Sequence, residues 1–125
     1  IKGMNWNKQN EIEDLCYFDI GIMPLPEDEW ANGKCGLKGL QYMALEIPTI
    51  MSPVGVNSDI ITNGVNGFLA SDIHEWVEKI SLLINDANLR KSIGIEARKT
   101  VVEKFSVQAN KNIYLECFNQ ILVSR

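Results

Sequence analysis

A chain of 125 residues with 46% apolar and 22% charged residues is long enough for one domain with a hydrophobic core, and its composition is that of an ordinary globular protein. The formal net charge of −4 excludes a general nucleic-acid binder, which would present a basic face, and no apolar run approaches the length of a membrane span. Three widely spaced cysteines and a single histidine disfavour a disulfide framework and a zinc site, and indicate reduced cysteines in a cytosolic protein.

The beginning of the chain predicts one short helix between two strands. Residues 1–4 predict a short strand, and residues 11–18 predict the helix. Residues 19–23 form a compact apolar run that prolines end, which predicts a strand buried on both faces, as in a parallel sheet. The polar residues 27–33 are acidic and end in glycine, and they predict a loop.

The middle of the chain continues the alternation of strands and helices. Residues 35–45 predict a helix, residues 49–51 the next strand, and residues 58–61 a brief helix after a loop. Residues 63–67 are rich in glycine and asparagine and predict a turn, which leads to a last short strand over residues 68–70. One apolar stripe along the helix predicted over residues 35–45 contains Leu37, Leu40, Met43 and Ala44.

Three helices are predicted after the last strand. Asp72, followed by Glu75 three residues later, indicates a capped helix start. Residues 88–105 predict a second helix, and Ser106 is the predicted cap of a third. Strands that alternate with helices predict an α/β fold with a mostly parallel sheet.

The most informative stretch is residues 33–39, a glycine-bearing loop that opens a predicted helix. Such a loop directs unpaired backbone N–H groups at one spot, so the N–H groups of Cys35, Gly36 and Leu37 are the predicted contact for a diphosphate. A second glycine loop, residues 52–57, leaves the next strand. Ligands of open parallel sheets lie outside the carboxyl ends of the strands, so the two loops face one crevice if their strands are neighbours. A glycine-rich turn of purely structural use is the alternative.

This loop is not a Walker A loop. That motif needs Ser or Thr after Gly-Lys, where Cys35 stands, and an earlier glycine, where Asp28 stands. Lys34 and Lys38 are four residues apart, which suits two point charges on one phosphate group; solvated lysines near a helix start are the alternative. Lysines at a helix N-terminus are electrostatically unfavourable, which favours an anionic ligand there.

The order and spacing of these motifs resemble the C-terminal half of the group 1 (family 4) glycosyltransferases, which have the GT-B fold. The resemblance covers nearly the whole chain. The residues that carry it are Asp19-Ile20-Gly21-Ile22-Met23-Pro24-Leu25, Lys34-Cys35-Gly36-Leu37-Lys38, Leu40-Gln41-Tyr42-Met43-Ala44, Pro48-Thr49-Ile50-Met51-Ser52-Pro53-Val54-Gly55-Val56-Asn57, Asn63-Gly64-Val65-Asn66-Gly67-Phe68-Leu69 and, in the tail, Asp86-Ala87-Asn88-Leu89-Arg90, Gly94, Ala97-Arg98 and Phe105-Ser106.

The resemblance implies a Rossmann-like, nucleotide-sugar-binding domain that supplies the donor-binding half of a retaining, hexosyltransferase-like enzyme. It implies a nucleotide-diphosphate sugar as the donor, a glycan or lipid-linked acceptor held mostly by an N-terminal domain, no nucleic acid, no cofactor and no obligatory metal. It also implies a cytoplasmic role in polysaccharide biosynthesis, and many members of the family act at the inner face of the membrane.

Candidate site residues follow from the resemblance, although no catalytic residue is among them. Gln41 is the implied ribose contact, with a buried polar group of the helix as the alternative. Trp6 is the implied nucleobase contact, and a core tryptophan is the favoured alternative. Asp59 stands where the family often has an acidic residue, and a helix-start carboxylate explains it equally well. The implied donor diphosphate and sugar contacts are Gly33, Lys34, Cys35, Gly36, Leu37, Lys38 and Gly55.

The chain departs from the family at a pair of glutamates. Where the family has a glutamate, seven residues and another glutamate, this chain has Gly33 and Gln41. Gln41 retains hydrogen-bonding capacity as a neutral amide, whereas Gly33 offers no side chain to the donor sugar. A substitute from the acidic residues 27–29 is one interpretation. The favoured interpretation is a subgroup with different chemistry, marked by Lys34 and Lys38.

A second departure is that the family's first two strand–helix units and its N-terminal domain are not part of the sequence. The expected division is a partial donor-binding domain over residues 1–105 and a C-terminal helix over residues 106–125, which packs on it or crosses to the N-terminal domain. Such a chain would be incomplete and inactive alone. The alternative function is a non-catalytic interaction module that docks through an exposed sheet edge. A response-regulator-like or flavodoxin-like domain is disfavoured, because the acidic phosphorylation cluster after a first strand is lacking.

Overall fold

A parallel sheet lies at the centre of the structure. The computed structural model describes residue 3 and residues 5–123, so the strand predicted over residues 1–4 lies outside the described residues except at Gly3, which is not in a strand. Within the described part, Ile22 pairs with Ile50, and Ile50 pairs with Phe68. The strands, in the spatial order β1-β2-β3, are β1 Gly21–Met23, β2 Thr49–Met51 and β3 Phe68–Leu69. The predicted α/β class with a parallel sheet is confirmed.

Helices connect and flank these strands. A π-helical segment, Val101–Phe105, lies between the last two helices. In the described part of the chain the α-helices are α1 Glu11–Leu15, α2 Glu29–Asn32, α3 Leu37–Ala44, α4 Asn57–Ile60, α5 Ile73–Asn85, α6 Ala87–Thr100 and α7 Val107–Val123.

Two sequence predictions are wrong in this region. The loop predicted over residues 27–33 contains α2, which forms because the Asp28 carboxylate accepts the N–H of Ala31 at 2.7 Å and caps the helix. Strand β1 is not buried on both faces, since Ile22 is 47% exposed. Among the described strands, β1 is at the edge of the sheet. Helix α3 contacts it on one face, and α5 lies over β2 instead of β1.

The hydrophobic core divides into two clusters on the two faces of β2, whose three residues are all buried. Ile50 belongs to the cluster that α5 and α6 cover, together with Leu83 and Ile93. Met51 belongs to the other cluster, which contains Met43 of α3. This alternation follows from the period of two in a strand, and it fixes α3 against the sheet. The first turn of α3 is thereby held near the carboxyl end of β1.

The contact between α6 and the turn before β2 leaves no room for a side chain at Gly94. A β-carbon there would lie 2.0 Å from the carbonyl oxygen of Glu46, which is backbone and cannot move aside cheaply. We expect Gly94→Ala to lower the free energy of unfolding by about 2 kcal/mol, because the steric overlap outweighs the gain in helix propensity. Chemical denaturation measures this change. Ser92→Ala, on the exposed face of α6, is the control, and equal stability of the two variants would contradict the prediction.

Helix α7 extends from the body of the protein. It has no buried residue, and Ile113, Tyr114 and Phe118 are each more than half exposed. Its start is as predicted, because the Ser106 hydroxyl accepts the N–H of Ala109 at 3.1 Å. The division at residue 106 and the crossing of this helix to a further domain stay predictions.

Candidate functional site

The glycine loop opens α3 as the sequence predicts. Helix α2 ends at Asn32, and the N–H of its C-cap, Gly33, donates to the carbonyl of Trp30 at 3.3 Å. Gly36 is the N-cap of α3 with φ 70°, in the left-handed region, and its carbonyl accepts the N–H of Leu40 at 3.0 Å. The positive φ favours glycine at this position, and a β-carbon at Gly36 would also lie 2.5 Å from Cδ1 of Ile60, which would have to turn aside.

Unpaired backbone N–H groups are concentrated at this helix start. Within residues 5–123, the N–H groups of Cys35, Gly36 and Leu37 have no hydrogen-bond acceptor. Gly36 is buried as a residue, while Cys35 and Leu37 are exposed. A helix N-terminus carries about half a unit of positive charge. The loop is therefore open to an anion from the side of Cys35 and Leu37.

The second glycine loop touches the first. The N–H of Gly55 donates to Oδ1 of Asn32 at 3.2 Å, and a β-carbon at Gly55 would lie 2.7 Å from the carbonyl oxygen of Asn32. The side-chain amide of Asn57 is buried and donates to the carbonyl of Ser52 at 3.0 Å, which braces the second loop from within. Asn57 is thereby a structural residue, and only Gly55 in this loop stays a candidate contact.

A cavity of about 420 Å³ lies over the glycine loop, between residues 33–38 and the segment that follows β1. Met23 and Leu25 form its wall on the side of β1. Lys34 is an exposed cation at its rim, and its ammonium has no ion-pair partner among residues 5–123. At Gly33 a β-carbon would meet nothing closer than 3.6 Å, so there is open space at the position where the resemblance implies a glutamate.

Lys38 and Gln41, on the next turns of α3, bind a carboxylate that the sequence does not single out. Lys38 Nζ lies 2.7 Å from Glu11 Oε1, and Gln41 Nε2 lies 3.5 Å from the same oxygen. The pKa of Glu11 is below its ordinary value, first because of the hydrogen bond from Lys38, with smaller contributions from side-chain hydrogen bonds of Trp6 and Gln41. The other amide atom of Gln41, Oε1, is buried and has no partner within the described residues.

Exposure and hydrogen bonding decide between several of the alternative roles that the sequence left open. The interpretation of Trp6 as a core tryptophan is wrong, because this side chain is 71% exposed beside Glu11. Asp28 caps α2, so it is not free to replace a family glutamate. Asp59 is exposed in the first turn of α4. Among the described residues, no group of three His, Cys, Asp or Glu side chains is placed to hold a metal ion.

A parallel sheet with glycine loops at the carboxyl ends of its strands, and a helix N-terminus at a cavity, is an arrangement in which α/β proteins bind phosphorylated ligands. Comparison with known proteins identifies a family within this class. The family model described as glycosyl transferases group 1 matches residues 25–100, and the chain belongs to this family. In the described part of the chain, no helix has both the length and the apolar character that crossing a membrane requires.

Curated relatives are longer proteins. The chain is 41% identical over 75 residues to a capsular polysaccharide biosynthesis glycosyltransferase, CapM, of Staphylococcus aureus, a match that covers 58% of this chain and 20% of that protein. It is 31% identical over 86 residues to a trehalose synthase of Pyrococcus horikoshii, which covers 69% of this chain and 21% of the synthase. The chain thus spans about a fifth of the length of these relatives.

Solved structures show the fold. The C-terminal domain of a glycosyl transferase group 1 family protein, LpcC, of Francisella tularensis has a TM-score of 0.73 at 22% identity, over 85% of this chain and 53% of that domain. A variant of S. aureus TarM, in complex with fondaparinux, α-GlcNAc-glycerol and UDP, has a TM-score of 0.70 at 23% identity, over 90% of this chain and 22% of TarM. The architecture is that of the C-terminal domain of GT-B glycosyltransferases.

Proposed function

We propose that this chain is the donor-binding part of a retaining glycosyltransferase that transfers a sugar from a nucleoside-diphosphate sugar. The observation that carries the proposal is the set of unpaired N–H groups of Cys35, Gly36 and Leu37 beside a cavity that Lys34 borders. Family membership and the UDP bound in the TarM structure support a nucleotide donor. CapM, named for capsular polysaccharide biosynthesis, supports a glycan acceptor and a role in polysaccharide biosynthesis.

The proposed chemistry follows from the charge that develops as the sugar leaves. The departing nucleoside diphosphate gains negative charge, and preorganised N–H dipoles and a cation stabilise that charge without a metal ion. In this proposal the N–H groups of residues 35–37 and the ammonium of Lys34 bind the diphosphate, and Gly33 and Gly55 let the donor sugar approach the backbone. Gln41 lies on the ribose side. An acceptor domain outside this sequence completes the cleft, which leaves the chain incomplete and inactive alone.

The test is a titration of the ¹⁵N-labelled chain with inorganic pyrophosphate, UDP, GDP and ADP, followed by amide chemical shifts. We expect shifts at residues 33–38 and at Gly55. Lys34→Met should weaken the affinity for pyrophosphate about tenfold, since a charged hydrogen bond to phosphate is removed. Lys91→Met is the matched control, because Lys91 is an exposed lysine beside Pro48, at the amino end of β2.

Two results would contradict the proposed function. The first is the absence of any shift at residues 33–38 with all four probes at millimolar concentration. The second is equal affinity for pyrophosphate in Lys34→Met and Lys91→Met, which would mean that the cavity beside the glycine loop does not bind the anion.

A non-catalytic interaction module is the second candidate function, and one observation favours it. Among the described strands β1 lies at the edge of the sheet, so its outer backbone N–H and C=O groups can pair with another strand, and Ile22 is 47% exposed on the adjacent face. Association through this edge predicts dimers or larger species in sedimentation velocity at micromolar concentration. A stable monomer together with pyrophosphate binding would favour the donor-binding function instead.

A further inference from the structure

Four side chains beside the glycine loop form a cluster, and only Lys38 among them is also an implied diphosphate contact. We call it the Glu11 cluster, and it consists of Trp6, Glu11, Lys38 and Gln41. Glu11 comes from α1, while Lys38 and Gln41 lie three residues apart on α3, so their side chains project from the same side of that helix. The cluster therefore joins the segment before β1 to the helix that carries the predicted anion site.

Hydrogen bonding in the cluster is incomplete. The Glu11 carboxylate orients the Gln41 amide so that Nε2 faces it, although the separation of 3.5 Å is long for a hydrogen bond. This orientation leaves Oε1 of Gln41 buried without a donor. A buried acceptor without a donor is unfavourable, and a carboxylate has about four acceptor positions. Because Oε1 of Gln41 is buried, the accessible acceptor of the cluster is the partly exposed carboxylate of Glu11, which receives Lys38 and Gln41 at the same oxygen. The hydroxyls of a ligand supply donors for its remaining acceptor positions.

The exposed position of Trp6 beside Glu11 indicates which kind of ligand the Glu11 cluster would bind. The side chain of Trp6 is 71% exposed, and it lies close enough to Glu11 to contribute to the lowered pKa of that carboxyl. An exposed aromatic face binds a nucleobase by stacking, and a carboxylate next to such a face binds the vicinal hydroxyls of a ribose. Lys38, whose ammonium pairs with this carboxylate, directly follows Leu37, the last of the three residues with unpaired N–H groups.

We propose that Glu11 is the ribose-binding carboxylate of this chain and makes the site selective for ribonucleotides. The proposal rests on the proposed function, because it takes the diphosphate to lie on the glycine loop. The carboxylate accepts the 2′-hydroxyl of the ribose, Gln41 lies beside the 3′-hydroxyl, and Trp6 stacks on the base. Lys38 is a positioning residue, which holds the carboxylate at 2.7 Å in the free protein.

A merely structural ion pair would have a different signature. The Lys38–Glu11 pair is partly exposed, and its loss would affect the binding of all ligands of the loop alike or none of them. A ribose contact instead changes the ratio of affinities for a ribonucleotide and its 2′-deoxy form, and leaves the affinity for pyrophosphate at least as high. The ratio is therefore the decisive quantity.

The experiment compares the wild-type chain, Glu11→Gln and Glu11→Ala by amide-shift titration with UDP, 2′-deoxy-UDP and inorganic pyrophosphate, and repeats it with GDP and ADP and their 2′-deoxy forms. Glu13→Gln is the control, because Glu13 is an exposed glutamate of the same helix. We expect the wild type and Glu13→Gln to prefer at least one ribonucleotide over its 2′-deoxy form by about tenfold. In both Glu11 variants this ratio should fall to about one, with no weakening of pyrophosphate binding.

The outcomes separate this proposal from the proposed function. Equal ribose selectivity in the wild type and Glu11→Gln overturns the role of Glu11, while the donor-binding function stands. A wild type that binds pyrophosphate but discriminates no ribonucleotide from its 2′-deoxy form also overturns it. A wild type that binds neither pyrophosphate nor any nucleotide overturns the proposed function, and with it the role of Glu11.

Discussion

Replacing Gly36 by alanine is expected to remove measurable pyrophosphate binding and to lower the free energy of unfolding by about 2 kcal/mol or more. The residue has φ 70°, which is unfavourable for alanine, and its β-carbon would lie 2.5 Å from Cδ1 of Ile60 and 3.2 Å from Oδ1 of Asn57. The terminal methyl of Ile60 can turn aside, but the unfavourable φ of alanine can be relieved only by a change in the backbone of the loop. The N–H groups of Cys35 and Leu37 then turn away from their common point, which weakens anion binding at least tenfold.

The matched control for this substitution is Gly33→Ala in the same loop. Gly33 has an ordinary φ of −80°, and a β-carbon there meets nothing closer than 3.6 Å. We expect its stability and its affinity for pyrophosphate to stay close to those of the wild type. Chemical denaturation and the amide-shift titration measure both variants. A folded Gly36→Ala that binds pyrophosphate as tightly as Gly33→Ala would show that the glycine loop is not the anion site.

The α/β class of the fold can be predicted from local sequence patterns, but the exposure of strand β1 and the presence of the short helix α2 cannot. Strand β2 has the predicted bounds, because a short apolar run between a proline and a polar loop has few alternatives. The order of strands and helices follows in the same way. The exposure of Ile22 depends on α5 lying over β2 and not over β1, which no local pattern contains. The short helix α2 depends on one capping contact of Asp28.

The candidate site likewise has one part that the local sequence predicts and another part that depends on tertiary contacts. Backbone chemistry is local, so the glycine pattern of residues 33–39 predicts the helix start and its unpaired N–H groups. The carboxylate beside α3 is not predictable in this way, since Glu11 reaches Lys38 across 27 residues and Gln41 across 30. Glu11 looks in the sequence like one of several acidic residues of a short polar helix. Its significance comes only from the tertiary contact.

The resemblance implies a glutamate at position 41, and the contact of Gln41 with Glu11 explains why a glutamine suits this chain. A glutamine at this position is compatible with a neighbouring carboxylate, because its amide donates to that carboxylate. A glutamate at the same position would place two carboxylates at about the same separation. In our proposal the ribose-binding carboxylate is on α1, at Glu11, and not on α3, at position 41. The effects of substitutions at these two positions should therefore depend on each other.

Gln41→Glu is therefore expected to harm the protein, although it restores the residue that the family has. Two carboxylates would then face the single cation Lys38, and their repulsion raises the pKa of one of them. We expect a lower midpoint of chemical denaturation at pH 7 and about tenfold weaker binding of UDP, or of whichever ribonucleoside diphosphate binds the wild type most tightly. Because the raised pKa lets one carboxyl take up a proton, the loss of stability should shrink as the pH falls towards 5.

The double variant Glu11→Gln/Gln41→Glu distinguishes coupling from simple damage. It exchanges the acid and the amide, so one carboxylate, one amide and one lysine are again present. We expect the midpoint of denaturation at pH 7 to return close to that of the wild type, and the affinity for the same ribonucleotide to return to within about threefold of it. The losses in the double variant would then be much smaller than the sum of the losses in the two single variants. Equilibrium denaturation and the same titration give the coupling energy. Additive losses in the double variant would mean that Glu11 and Gln41 do not share one function, and the carboxylate on α1 would then be a surface ion pair without a role in nucleotide binding.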